Sequence, residues 1–351
     1  MASIRDVALR AGVSTATVSH VINGTRPVLP QTRQVVEAAI SVLRYRPSAV
    51  ARGLQTNITR IVGVIVANIT SFFFAQIVRE LEAAFEAEHY NLIVCNTDEQ
   101  PERERRYLEM LFDKRVDGVV MVPTGADQPM LQQFAEAGIP LISIYRKPGL
   151  DAGPVVMTDE FASAYTATEY LIQLGHRRIG VLARGHNLSP VIYRTQGYMH
   201  ALRAHNIPID QRLIEINYRA PERTSDSARR LFSMTPHITA VIGMSLTSTL
   251  SLLKAMRQLG VTYPDQVSVL GIGDAPWMEV LPAPLTVMAA PTAEMCAAAA
   301  TLMLERISIS HKRNGLRNGQ NGQVVTKPLE SQTITFKARL IERASCVEVA
   351  A

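Results

Sequence analysis

Cysteine is scarce in this 351-residue chain: Cys95, Cys296 and Cys346 are the whole supply. They are widely spaced, odd in number and form no Cys-x-x-Cys pair. Neither a disulfide framework nor a zinc site is expected, and the three are read as reduced thiols. Aromatic residues make up only 6% against 47% apolar, a balance that suits a Val/Ile/Ala-rich α/β protein and not a disordered or fibrous one. No run of eighteen uncharged apolar residues occurs, so no membrane-spanning helix is expected. The start, Met1-Ala2-Ser3-Ile4-Arg5-Asp6, lacks the apolar stretch of a secretory signal, and a cytoplasmic location is the expectation. Catalytic signatures are missing as well: no phosphate-binding loop, G-x-G-x-x-G, G-x-S-x-G or H-E-x-x-H. Gly271-Ile272-Gly273-Asp274 follows an apolar run but lacks the third glycine. The expectation is no enzyme, with no catalytic residue, metal or cofactor.

Acidic residues are nearly absent from one region. Residues 1–60 hold eight arginines, no lysine, and only Asp6 and Glu37, a net charge of +6. The remainder has 28 basic and 29 acidic residues. All of the excess positive charge lies in the first sixth of the molecule, which points to a polyanion partner for that segment.

The same segment reads as three short helices. Ser3 can cap the first, with Asp6 completing a capping box. Ile4, Val7, Ala8 and Ala11 share one face, and Gly12 ends it. Ser14 can cap a second, with Val18, Val21 and Ile22 inward and Asn23-Gly24 as the stop. A third follows Pro30, with Val35, Val36, Ala39, Ile40 and Leu43 on one stripe. Two short helices joined by a tight glycine turn, with a third across them, make a helix-turn-helix plan. The second helix leaves Thr15, Ala16, Thr17, Ser19 and His20 on its outer face. These are small or hydrogen-bonding side chains suited to entering a major groove.

The run from Ile4-Arg5-Asp6-Val7-Ala8 to Val18-Ser19-His20-Val21-Ile22-Asn23 resembles the headpiece of the LacI/GalR family of bacterial transcription regulators, most of all its purine-repressor and catabolite-control branch. Arg46-Pro47-Ser48-Ala49-Val50-Ala51-Arg52-Gly53-Leu54 resembles that family's hinge helix, and the likeness continues to Leu340-Ile341-Glu342-Arg343. It implies a sequence-specific repressor, acting as a homodimer on a pseudopalindromic operator with a central CpG step. Thr15, Ala16 and His20 would read bases, while Thr17, Asn23 and Arg26 would position the headpiece on the backbone. The hinge is under three turns long and carries Gly53, so it is expected to fold only when two copies pack in the minor groove. Ala51 and Leu54 would then meet DNA, with Leu54 as a wedge at the central step. The alternative for Leu54 is packing against the following domain.

After Arg60 apolar strands alternate with helices: Ile61–Val66, Leu92–Cys95, Gly118–Val122 and Leu141–Ile144. A second set, at Arg178–Leu182, Ala240–Ile242 and Val267–Ile272, looks like a repeat of the first. Two parallel α/β halves leave a cleft between them, the default ligand site. The resemblance supplies the same plan, two subdomains of the type I periplasmic-binding-protein fold. The fold class is therefore multidomain: an all-α helix-turn-helix headpiece and an α/β effector domain of two parallel-sheet subdomains. The expected divisions are 1–46 headpiece, 47–59 hinge helix and linker, and 60–351 effector-binding and dimerisation domain. Within the last, one subdomain takes about 60–159 and 288–327, the other about 160–287 and 328–344. Residues 311–326, rich in Gly and Asn, are longer than the family usually has and read as a surface insertion.

Strand ends nominate the effector site: Asn68, Phe73, Tyr145, Arg194, Tyr218 and Asp274. The resemblance implies that Arg194 and Asp274 bind polar groups of the effector and that Phe73 and Tyr218 stack on it. Aromatic walls with a few fixed polar groups suit a sugar or a nucleobase, or another small metabolite. Two departures bear on effector identity: Tyr145-Arg146 stands where the family commonly has Asp-Arg, and Ser245 where it often has Asp. The competing reading is a solute-binding protein of the same fold with no regulatory role. The missing secretory signal and the basic helix-turn-helix argue against it.

Overall fold

In the computed structural model the described residues are 2–24, 26–45, 58–149, 153–185, 188–217, 221–317 and 332–349. The hinge with Ala51 and Leu54, the expected stacking residue Tyr218 and most of the 311–326 insertion lie outside them. The chain divides into two compact units, Met1–Thr59 and Arg60–Ala351.

The first unit holds α1 (Ile4–Ala11), α2 (Thr15–Asn23) and α3 (Pro30–Val42). The capping box is formed: the Ser3 hydroxyl accepts from the Asp6 backbone N–H, and the Asp6 carboxylate accepts from the Ser3 backbone N–H at 2.7 Å. These bonds hold the Asp6 carboxyl below the usual aspartate range. Gly12 closes α1 in the left-handed conformation, φ 65°, which a side chain would strain. The turn delivers Ser14, whose hydroxyl accepts from the Thr17 N–H and starts α2. Val7, Val18, Val21 and Val36 meet in a small buried core. Each fully buried valine contributes roughly 1.5 kcal/mol or more to holding the three helices together.

The second unit is built on two six-stranded sheets. The first has the order β11-β5-β4-β3-β1-β2, from β1 (Ile61–Val66), β2 (Asn91–Asn96), β3 (Gly118–Met121), β4 (Leu141–Ile144), β5 (Val155–Thr158) and β11 (Thr333–Phe336). The second has β12-β10-β9-β8-β6-β7, from β6 (Ile179–Arg184), β7 (Ile214–Asn217), β8 (Ala240–Gly243), β9 (Ser268–Ile272), β10 (Thr286–Ala289) and β12 (Arg339–Ile341). The two orders are the same when the second set is renumbered, so the repeat seen in the sequence is a repeat of topology. Every pairing is parallel except β10 with β12. Parallel strands covered on both faces bury nearly all of their residues, which is why β1, β3 and β8 consist only of Val, Ile, Met, Ala and Gly.

Helices α4 (Phe72–Glu86), α5 (Pro101–Asp113), α6 (Met130–Ala137) and α11 (Thr292–Arg317) belong with the first sheet. With the second go α7 (Glu160–Gln173), α8 (Ser189–Ala204), α9 (Pro221–Phe232) and α10 (Leu246–Leu259). Helices α7 and α8 approach closely at Gly197, where a Cβ would sit 2.2 Å from the Phe161 carbonyl oxygen. The subdomain exchange differs from the expected one. Strand β11 pairs with β5 in the first sheet, so the last crossing falls at 337–338, not at 327/328. Thr333–Phe336 and Arg339–Ile341 form one short strand pattern in sequence, and a break of two residues inside it carries no signal of a change of sheet.

Candidate functional site

In the headpiece unit, Thr15 and Ala16 of helix α2 are exposed, with Thr17 and His20 half-buried. Ala16 and His20 fall at a helical spacing of four on the side away from Val18 and Val21. Asn23 is the last helical residue, and Gly24 caps the helix with φ 64°, its N–H donating to the His20 carbonyl at 2.9 Å. Arg26 is exposed two residues beyond. The structure therefore places the expected DNA-facing residues on one helix and the turn after it. The headpiece core lies behind them.

In the second unit a cleft of about 530 Å³ opens where the strands of both sheets end, within the range of small-molecule sites. In the first sheet Asn68 and Phe73 follow β1, Thr124 follows β3, and Tyr145 follows β4. Strands β1 and β3 run beside each other while their connections leave on opposite sides. The crevice this creates at the carboxyl ends is where open parallel sheets bind ligands.

The aromatic wall is compact. Phe73 and Tyr145 stand edge to face with centroids 4.7 Å apart, and Phe74 meets both. Tyr145 has φ 70°, and Asp98 and Glu99 have φ 51° and 60°. Three of the eight non-glycine residues with positive φ among the described residues thus line this cleft. Left-handed backbone at such residues costs on the order of 1 kcal/mol each and is held by its surroundings.

Two ion pairs, one buried and one with only its guanidinium buried, lie beside Tyr145. Arg194 on α8 donates from Nε to Glu160 Oε2 at 2.6 Å and from Nη1 to the Met244 carbonyl. The two side chains are 7% and 1% exposed. Burial raises the Glu160 carboxyl above the usual range, with Arg194 pulling it back. For Arg194 burial acts downward, but the Glu160 charge and hydrogen bond outweigh it and the guanidinium stays charged. The second pair is bidentate: Arg146 Nη1 and Nη2 donate to the two Glu99 oxygens at 2.7 and 2.9 Å. Its guanidinium lies 5.6 Å from the Tyr145 centroid, and that of Arg194 lies 5.9 Å away on the same ring.

Of the expected effector residues, Asn68, Phe73, Tyr145 and Arg194 come together on the wall. Asp274 does not join them. Its carboxylate takes a bidentate pair from Arg343, at 3.0 and 2.8 Å, and Gly273 lines the cleft in its place. Neighbouring residues at a strand end point to opposite sides, so one residue decides which is seen by the cleft. Glu160 and Glu99 were not nominated. Glu160 reads in sequence as an acid in the first turn of a helix, a common complement to the helix dipole, and its partner is thirty-four residues away.

The three cysteines are not reactive groups. Burial pushes the Cys95 and Cys346 thiols up to about 11 and that of Cys296 to about 12, which leaves them protonated and inert at neutral pH. Among the described residues no three His, Cys, Asp or Glu side chains gather as a metal site, and no helix is long and apolar enough to cross a membrane.

Two family models match the chain: "Bacterial regulatory proteins, lacI family" over residues 3–48, and "Periplasmic binding proteins and sugar binding domain of LacI family" over residues 59–329. The chain belongs to the LacI family. This LacI-family chain is a transcription regulator with a helix-turn-helix headpiece and an effector-binding domain. It is 33% identical over 347 residues to the HTH-type transcriptional repressor PurR of Actinobacillus pleuropneumoniae serotype 3 (strain JL03), covering 98% of each. It is 34% identical over 309 residues to PurR of Vibrio atlanticus (strain LGP32), covering 88% of this chain and 92% of that one. Among solved structures, the transcriptional regulator CelR–cellobiose complex matches with TM-score 0.69 and 27% identity, over 98% of this chain and all of that one. The lac repressor dimer bound to operator and the anti-inducer ONPF matches with TM-score 0.78 over 99% of each chain; at 21% identity that likeness shows the fold alone.

Proposed function

We propose that this regulator is a cytoplasmic, non-enzymatic repressor that binds a pseudopalindromic operator as a homodimer and changes its operator affinity when a small metabolite enters the cleft. The observation that carries the reading is the pairing, in one chain, of a basic headpiece with a small-residue recognition face and a separate domain holding a walled cleft. Thr15, Ala16 and His20 read base edges from α2, and Thr17, Asn23 and Arg26 hold the headpiece on phosphates. Ala51 and Leu54 act in the minor groove at a central CpG step, Leu54 as the wedge. Replacing Leu54 by Ala should reduce operator bending, measured by energy transfer between labelled DNA ends; an unchanged bend would remove the wedge.

In the cleft, Phe73 and Tyr145 form the apolar wall for the effector, and stacking on it is the role carried over for Tyr218. Asn68 lies beside them, and Arg194, held by Glu160, is the fixed polar anchor. Asp274 stands one residue from the wall and, paired with Arg343, supports it. Two headpieces address two half-sites, so two-fold symmetry in the operator mirrors that of the dimer. The test is retardation of DNA by the purified full chain after selection from random sequence. A pseudopalindromic consensus retained far more tightly than random DNA supports the reading. Equal retention of both, or a monomer in sedimentation at full operator affinity, contradicts it.

A further inference from the structure

We infer that the C-terminal end of α11 is a second DNA-contacting surface, carried on the effector domain, which grips backbone phosphates of the duplex flanking each half-site. The inference goes beyond the operator reading above, in which only headpiece and hinge touch DNA, and rests on that reading for the duplex itself. Outside residues 1–60 the charge is balanced, 28 basic residues against 29 acidic. One run departs from that balance: residues 306–329 hold Arg306, Lys312, Arg313, Arg317 and Lys327 and no acid. Helix α11 carries the run as far as Arg317. A basic stretch free of acids is the electrostatic footprint of a polyanion partner, as it is in the headpiece.

The fold brings this run to the entrance of the domain. Helix α11 ends at the amino ends of the first sheet's strands, opposite the cleft. Met303 and Ile307 lie against Gly118, the first residue of β3. One turn on, the Ser310 hydroxyl donates to the Gly138 carbonyl, ahead of β4, at 2.7 Å. His311 Nε2 lies 3.6 Å from Asp117 Oδ1, just ahead of β3. The other Asp117 oxygen accepts the Arg60 backbone N–H at 2.7 Å. Arg60 is where the chain coming from the headpiece enters this unit. Lys312, next after His311, is exposed. Arg60 and Lys114 are exposed at the same end, but so are Glu88 and Asp113, so the excess of positive charge comes from the α11 run. Residues 46–59 span at most about 50 Å even when fully extended, which tethers this end of the domain to the duplex the headpiece holds. Phosphate contacts position a protein without reading sequence, and they need cations, not base-matching side chains. A run of Lys, Arg, Gly and Asn supplies that chemistry.

Titration of the full chain against the selected operator in two lengths tests this. One fragment is the consensus alone; the other adds about 15 base pairs of unrelated sequence on each side, roughly 50 Å of duplex. The wild-type chain should bind the longer fragment about tenfold or more tightly and with a steeper salt dependence. Lys312→Ala, Arg313→Ala and Arg317→Ala together should remove that gain. They should also flatten the log–log salt slope on the longer fragment by about 2 or more, since each phosphate contact contributes about 0.9. Affinity for the consensus alone should stay within about twofold, because the headpiece contacts are untouched. Lys312→Arg with Arg313→Lys and Arg317→Lys keeps the charge and should keep the gain. Cations near a helix C-terminus also support the helix; a role confined to that would change both fragments alike or neither. A wild-type chain that gains nothing from the flanks, a neutralised variant that keeps the gain, or a charge-preserving variant that loses it overturns the inference while operator binding stands. A chain that holds neither fragment more tightly than random DNA overturns the operator reading as well.

Discussion

Replacing Arg194 by Met removes half of a buried ion pair and strands the other half. The Glu160 side chain is 1% exposed and 2.6 Å from Arg194 Nε, so its charge has no solvent to turn to. Breaking such a pair costs about 3–5 kcal/mol, most of it the penalty on the charge left behind. Methionine fills much of the aliphatic volume, which keeps any cavity contribution small. Burial already raises the Glu160 carboxyl, and Arg194 is the main opposing influence; without it the rise is larger. A carboxyl whose folded pKa exceeds its unfolded value stabilises the fold in its protonated form. That contribution is complete below the unfolded pKa and is lost as pH rises through the folded pKa. The Met variant should therefore be nearest to wild type at about pH 5 and furthest from it at about pH 8. Adding Glu160→Gln to it removes the stranded charge and should recover more than half of the loss. Urea unfolding followed by Trp277, the single tryptophan, reports the effector domain directly. A double variant no more stable than Arg194→Met, or a loss equal at both pH values, would refute the reasoning.

Gly197→Ala drives a methyl into the Phe161 carbonyl at 2.2 Å and the Tyr165 amide at 3.0 Å. It should destabilise the same domain by about 1–3 kcal/mol, since both obstacles are backbone; thermal unfolding within error of wild type would contradict the close helix approach. Ser3→Ala removes the α1 cap and should cost the headpiece about 1 kcal/mol, read by hydrogen exchange of residues 4–11. As Asp6 sits below its ordinary range, its share of the box is present above the usual aspartate pKa and fades as pH falls through the lowered value. His20→Ala should lose about 1–3 kcal/mol of discrimination between operator and single-base variants. Equal weakening on operator and random DNA would reduce His20 to a phosphate contact.

The headpiece was legible in sequence because its determinants are local. Ser3 and Asp6, Gly12, Ser14 and Gly24 act within a few residues of themselves, and the structure shows each in its cap. The sheets were legible for a related reason: buried parallel strands such as Ile61–Val66 have to be apolar throughout. Half of the cleft followed, since Asn68, Phe73 and Tyr145 stand just beyond strand ends. What stayed hidden depends on distance and on side. Glu160 meets Arg194 and Glu99 meets Arg146 across gaps of 34 and 47 residues, and no local pattern encodes such pairings. Asp274 meets Arg343 across 69 residues, a pairing no local pattern encodes either. The crossing at 337–338 was missed because β11 and β12 are nearly continuous in sequence.

The account stands on coupling between cleft and headpiece, so operator affinity with and without cleft ligand is the measurement that decides it. Fluorescence anisotropy of the selected operator, titrated with full chain at fixed salt, should shift when a small molecule that binds the effector domain is added. Coupling energies of about 1–3 kcal/mol correspond to affinity changes of roughly 5- to 150-fold. The account predicts a shift within that range, with none on random DNA and none in Arg194→Met. An operator affinity that stays the same at saturating ligand would contradict it.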